Sequence, residues 1–215
     1  MSEKVLLIVG AGPGISLSTA RKFGNKGFKI ALIARRLQAL QQYEAELSRE
    51  GIESKGFSGD VSSPESLKTA IDSVIKTYGK VDVLLYNAAV LKPGKPTELT
   101  ADDLINEFKI NVSGALTSVK EVLPHMEKGT ILLTGGGLAL YPNADLASLS
   151  IGKAGIRSLA YSLHQELSPK DIYVGTLTIK GFVQEGTYFS PKNIANTFFS
   201  MYENQTETEI MFEEK

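Results

Sequence analysis

Val5-Leu6-Leu7-Ile8-Val9-Gly10-Ala11-Gly12-Pro13-Gly14-Ile15-Ser16 is the stretch that decides how this chain is read. Val5–Val9 is an unbroken aliphatic run, the pattern of a strand covered on both faces. Three glycines within five residues follow it directly, and Ile15–Lys26 reads as a helix. Glycine at a strand end permits a tight turn, and a missing side chain lets backbone approach a pyrophosphate. The helix start adds free N–H groups and a partial positive charge. A tight turn without a ligand is the alternative, but a structural turn rarely needs so many glycines. Its place as the first turn of a strand–turn–helix pattern points to a nucleotide.

Outward from this loop, short apolar runs alternate with longer amphipathic ones. Lys29–Ile33 reads as a strand and Leu37–Glu50 as a helix closed by Gly51. Ser54–Ser58 is a weaker strand. Ser63-Pro64-Glu65 opens a helix with a cap, a proline at the first position and an acid in the first turn. That helix runs to Tyr78 and stops at Gly79. Val81–Tyr86 is a strand, and a long helical region from Thr100 reaches about Met126. Thr130–Thr134, Ile172–Leu177 and Glu209–Phe212 read as strands. Leu146–Leu167 is a helix closed by Ser168-Pro169, and Ser190-Pro191 opens a last helix through Tyr202. The expected fold is α/β: one domain over residues 1–215, a Rossmann-type doubly wound parallel sheet of about seven strands with helices on both faces. Lys180–Ser190, with two glycines, is the expected mobile segment.

Composition narrows the function classes. The 215 residues are 42% hydrophobic and 22% charged, ordinary for a globular chain. Lys and Arg number 23 against 24 Asp and Glu, so no basic face for nucleic acid is expected. Cysteine is absent, which removes disulfides, thiolate metal sites and thiol catalysis. With His125 and His164 the only histidines, no metal site is expected. The apolar run near the N-terminus is too short for a signal peptide, and no stretch reaches the ~18 apolar residues of a membrane span. The expectation is a cytoplasmic protein with a small-molecule substrate and no membrane or nucleic-acid partner.

Dinucleotide folds usually place Asp or Glu about 20 residues past the loop, against the ribose 2′-OH. This chain has Ala34-Arg35-Arg36 there. A guanidinium fork suits a 2′-phosphate, which a carboxylate would repel. The expected cofactor is NADP(H), ahead of NAD(H). The alternative, that Arg35 and Arg36 only solvate a helix start, runs against the helix dipole.

Further along stand Asp60-Val61 after the third strand, Asn87-Ala88-Ala89 after the fourth, Asn111 in the long helix and Lys153 in the next. With the Gly10-x-x-x-Gly14-Ile15 loop, these marks make the chain resemble the short-chain dehydrogenase/reductase family over nearly its whole length. The resemblance implies that Gly10, Gly12, Pro13, Gly14, Ile15 and Ser16 cradle the cofactor. It implies that Asp60 binds the adenine amino group, that Val61 flanks the ring, and that Asn87, Ala88 and Ala89 border the cofactor. Ser16 and Ala89 each stand where the family usually has glycine, which adds bulk beside the cofactor. Asp60 could instead cap a turn, and Asn87 could satisfy strand-end backbone.

The family's catalytic set is a tyrosine, a lysine four residues later, a serine about 13 residues before the tyrosine, and an upstream asparagine. A lysine at i+4 shares the tyrosine's helix face and favours its phenolate. Here Asn111 and Lys153 match. The tyrosine position holds Leu149 and the serine position holds Gly136. Tyr141, Thr134 and Ser150 are the substitutes in reach, although each has an ordinary packing role available. The alternative for Lys153 is a surface cation, and for Asn111 a helix kink or water anchor.

Two functions follow from the resemblance. One is an NADP-dependent oxidoreductase of small carbonyl or alcohol substrates with a displaced proton donor. The other is a catalytically silent NADP(H)-binding sensor or assembly partner. Small residues along 146–167 (Ala147, Gly152, Ala154, Gly155, Ala160) permit close helix approach, so a homodimer or homotetramer is expected.

Overall fold

A computed structural model describes residues 3–214. Seven parallel strands form one sheet: β1 (Lys4–Val9), β2 (Phe28–Ala34), β3 (Ser54–Ser58), β4 (Val83–Tyr86), β5 (Gly129–Thr134), β6 (Ile172–Ile179) and β7 (Glu209–Phe212). Their order is β3-β2-β1-β4-β5-β6-β7. The α/β, doubly wound architecture expected from the sequence is what the chain adopts.

The helices are α1 (Ile15–Gly24), α2 (Leu37–Arg49), α3 (Pro64–Tyr78), α4 (Ala101–Phe108), α5 (Gly114–Val122), α6 (Ala147–Leu167) and α7 (Pro191–Asn204). They divide between the sheet's two faces as the strand side chains alternate. Leu6 and Ile8 of β1 pack with Leu17, Leu40 and Phe198 of α1, α2 and α7. Leu7 and Val9 pack with Ile71, Val119 and Ile156 of α3, α5 and α6. Strands buried on both sides have no polar face to show, which is why their sequences read as solid aliphatic runs.

The long helical region is not continuous. A π turn at Lys109–Ser113 separates α4 from α5, and a 3-10 turn follows at Leu123–His125. Such a turn carries one extra residue and redirects the carbonyls around it. The Tyr86 hydroxyl, buried at the end of β4, donates to the Ile110 carbonyl, and Asn111 Oδ1 accepts from the Val90 N–H at 2.8 Å. The helix is therefore widened where the loop after β4 leans on it. The pattern of apolar residues carries no mark of those two bonds, so the sequence reads as one helix.

β6 runs two residues further than its sequence suggests, because Ile179 pairs with Phe212 on the edge strand. Glu209 of β7 accepts from Arg157 at 2.8 Å and from Thr178 at 2.6 Å, which ties α6 to the sheet edge. The 180–190 segment is more anchored than expected. Tyr188 stacks on Phe212 at 4.8 Å and Phe189 meets the same ring edge-on at 5.8 Å.

Replacing Tyr86 by Phe removes the donor that serves the π turn and leaves a sheltered carbonyl without its partner. Tyr86→Phe is expected to cost about 1–3 kcal/mol, read as a lower urea midpoint at unchanged slope.

Candidate functional site

The strand order reverses between β1 and β4, and a ligand crevice opens at the carboxyl ends of strands flanking such a switch point. Gly10 closes β1 with φ +88°, and its N–H and that of Ala11 donate to Ile33 O at 3.0 and 2.9 Å. A Cβ at Gly10 would fall 2.4 Å from the Ala88 nitrogen. The two loops thus approach at a distance only glycine allows. At Gly12 a Cβ would meet nothing, and at Gly14 only Pro191 at 4.0 Å. Pro13 is exposed between them, while Ile15 packs inward. Helix α1 has no acid in its first turn and no side-chain cap, whereas α3, α4 and α7 are capped by Ser63, Thr100 and Ser190. An uncapped helix start beside a glycine loop is the arrangement a diphosphate fits.

Ser16 does not crowd that space. It is fully buried and turned into the scaffold: its hydroxyl donates to Gly10 O at 2.9 Å and accepts from Asn87 Nδ2 at 2.9 Å. Asn87 Oδ1 in turn accepts from the Thr134 hydroxyl at 2.8 Å, and Thr134 O accepts from Lys153 Nζ at 2.8 Å. One line of hydrogen bonds therefore joins the ends of β1, β4 and β5 to α6. Asn87 also donates its N–H to Val9 O at 2.9 Å, so it satisfies strand-end backbone as well as joining this line.

Beside this line a cleft of about 230 Å³ is lined by residues that include Gly10, Arg35, Asp60, Val61, Asn87 and Ala88–Val90. Asp60 Oδ1 accepts from the Ser62 hydroxyl at 2.7 Å and the Ser62 N–H at 2.9 Å. These bonds, with the charge of Arg35, hold its carboxyl below the usual range. Asp60 thus both closes a turn and borders the cleft. Arg35 stands on the cleft wall. Arg36 occupies the N-cap position of α2, is exposed, and lies outside the cleft lining.

On the other side of Asn87 are the positions the resemblance makes catalytic. Lys153 and Gly136 come together, since a Cβ at Gly136 would touch the lysine stem at 3.4 Å. Leu149 is buried, 5% exposed. Asn111 packs on Gly152 of α6, where a Cβ would stand 2.7 Å away. Of the proposed substitutes, the Thr134 hydroxyl is engaged with Asn87. The Ser150 hydroxyl donates to Leu146 O at 2.9 Å and accepts from Asn143 N at 3.1 Å. Tyr141 lies exposed on the loop after β5, beside Lys180 instead of Lys153.

Residues 4–187 match the short chain dehydrogenase family. The chain belongs to it. An uncharacterized oxidoreductase of Listeria monocytogenes is 30% identical over 184 residues, covering 83% of this chain and 73% of that one. Tropinone reductase-like 3 of Erythroxylum coca is 27% identical over 168 residues, 77% of this chain and 65% of its own length. Among solved structures, a metagenomic short-chain oxidoreductase in complex with NADP superposes with a TM-score of 0.88 at 24% identity, over 97% of this chain and 95% of that one. An actinorhodin polyketide ketoreductase variant with NADPH gives 0.90 at 22% identity, over the same shares. Both structural matches show the fold of the short-chain dehydrogenases.

Two features of this short-chain dehydrogenase escaped the sequence reading. Glu107 is 6% exposed, and both its carboxylate oxygens lack a hydrogen-bond partner among the described residues. It stands one helical turn before Asn111, whose Nδ2 is likewise unpartnered; that i, i+4 spacing was visible in the sequence. The other is Lys180, whose ammonium lies over the Tyr141 ring and which the sequence placed only in the expected mobile segment.

Among the described residues no group of three or more His, Asp or Glu is gathered for a metal, and no helix is long and apolar enough to cross a membrane.

Burial pushes the Lys153 amine down from 10.5 to about 8. Between those values the unfolded chain binds a proton that the folded chain does not, so this group favours folding increasingly as pH rises from 8 to 10.5. Relative to Lys153→Met, the wild-type urea midpoint is expected to climb across that window and to hold a constant offset below it.

Proposed function

We propose that this protein is an NADP(H)-dependent oxidoreductase that interconverts a small carbonyl compound and its alcohol, as a divergent member lacking the family's serine and tyrosine. The observation that carries the reading is the unbroken line Lys153–Thr134–Asn87–Ser16–Gly10. It couples the lysine to the loop that would hold the diphosphate. The names of relatives and of NADP- and NADPH-bound structural neighbours support the same activity and cofactor.

The bound cofactor would supply or accept hydride at its nicotinamide. The chain's own residues do the rest. The uncapped start of α1 and the glycine backbone take the diphosphate. Arg35, on the cleft wall, faces the 2′-phosphate, and Asp60 and Val61 take the adenine. Lys153 donates to ribose hydroxyls, with Asn87 and Thr134 fixing its place. Positioning alone supplies much of the rate of such a transfer, so the loss of one proton donor need not abolish it. Leu149 and Gly136 favour a second reading, a silent NADP(H)-binding sensor or assembly partner, because neither can handle a proton.

Fluorescence titration separates the cofactors, and absorbance with a panel of aldehydes, ketones and quinones separates the readings. NADPH is expected to bind more tightly than NADH, and Arg35→Ala to reduce that preference by about tenfold, the scale of one charge-assisted contact. Equal affinities in the wild type sink the NADP assignment. Tight binding without turnover leaves the sensor.

We also propose a homodimer or homotetramer. Ile105, Phe108, Leu116, Ile151 and Tyr161 on α4, α5 and α6 are large apolar side chains left exposed. Exposed apolar area of this kind marks association surfaces. Light scattering is expected to give at least twice the subunit mass.

A further inference from the structure

We propose that Tyr141 is the proton donor of this site and that Lys180 positions it, a tyrosine–lysine pair assembled from two loops in place of one helix face. The inference rests on the oxidoreductase reading above.

Both residues sit on the carboxyl edge of the sheet, Tyr141 on the loop after β5 and Lys180 directly after β6. That edge is where ligands bind in such sheets. Lys180 Nζ lies 5.6 Å from the centroid of the Tyr141 ring. Glu213, just past β7, forms an ion pair with the same ammonium. The Tyr141 N–H donates to Gly137 O at 2.9 Å, which sets where the side chain leaves the loop.

The glycines after β5 connect this pair to the reaction centre. A Cβ at Gly136 would touch the stem of Lys153 at 3.4 Å, and a Cβ at Gly137 would stand 3.3 Å from the Lys180 Cα. The two lysines therefore flank adjacent glycines, one on the cofactor-side line of hydrogen bonds and one under Tyr141. Gly136 is also the position of the absent serine, and the stem of Lys153 packs against it. Among the described residues the Tyr141 hydroxyl has no hydrogen-bond partner, whereas those of Thr134 and Ser150 are engaged. Tyr141 is 69% exposed, so its phenol can exchange protons with water.

The chemistry balances without a further reactant. As the carbonyl carbon accepts hydride from the reduced nicotinamide, the π pair moves onto oxygen and takes the Tyr141 proton. The carbonyl is reduced by two electrons to the alcohol and the nicotinamide is oxidised. The phenolate left behind belongs to a ring whose centroid lies 5.6 Å from the Lys180 ammonium, itself paired with Glu213, and it regains a proton from water. An ammonium beside a phenol stabilises that anion whichever element supplies it.

The test uses the full chain as wild type, Tyr141→Phe, Lys180→Met and Lys180→Arg. NADPH affinity comes from fluorescence, turnover from the carbonyl panel, and local contact from the ¹³Cζ tyrosine NMR signal of the NADP⁺-loaded protein with and without trifluoroethanol as an unreactive alcohol. Tyr141→Phe is expected to lower kcat about 100-fold or more while NADPH affinity stays within about twofold, the scale of a lost general acid. Lys180→Met is expected to lose about tenfold and Lys180→Arg to recover most of it, since the cation is what acts on the phenol. The Tyr141 signal is expected to move on adding the alcohol. Wild-type turnover that persists in Tyr141→Phe overturns the pair and leaves the oxidoreductase standing. NADPH binding with no wild-type turnover overturns both. An unmoved Tyr141 signal, with the signals of other tyrosines shifting, overturns the assignment of Tyr141 to the donor role.

Discussion

The approach of the first and fourth loops at Gly10 is the contact on which the rest of the site depends. No side chain fits between Gly10 and Ala88, so the two loops close on each other backbone to backbone. Ser16 and Asn87 then meet at 2.9 Å, and the bond continues through Thr134 to Lys153. Each link is short-range, but together they fix a helix start, two strand ends and the helix that carries the lysine. A buried polar network of this kind holds one arrangement because every alternative leaves a donor or acceptor unpaired.

This network also explains how the chain tolerates its departures from the family pattern. Ser16 stands where the resemblance expects glycine, and its hydroxyl is absorbed between Gly10 and Asn87. Leu149 is buried and carries no polar side-chain atom to leave unpaired. Gly136 leaves room beside the stem of Lys153.

α4, the π turn and α6 form a second unit on that side. Asn111 bonds the Val90 N–H, and Gly152 lets α6 lie directly against it. Glu107 and Ser148 carry buried polar atoms without partners among the described residues, so the interface between these helices is polar as well as close-packed. The loop after β4 is held over the same place by Gly94, whose N–H donates to Asp145 O at 2.8 Å. The region that would meet substrate is thus built from segments that brace one another.

What the sequence determined by itself was local. Aliphatic runs give strands buried on both faces, glycine clusters give turns, and Ser63, Thr100 and Ser190 cap helices by bonding amides three residues on. The strand sequence, the glycine loop and the helix starts were legible for that reason. Contacts between distant residues were not. The inward turn of Ser16, the π turn under Tyr86, the separation of Arg35 from Arg36 and the meeting of Tyr141 with Lys180 each depend on which loops the sheet order brings together. Only tertiary structure decides that, because hydrogen bonds and ion pairs between remote segments leave no periodic trace in the chain.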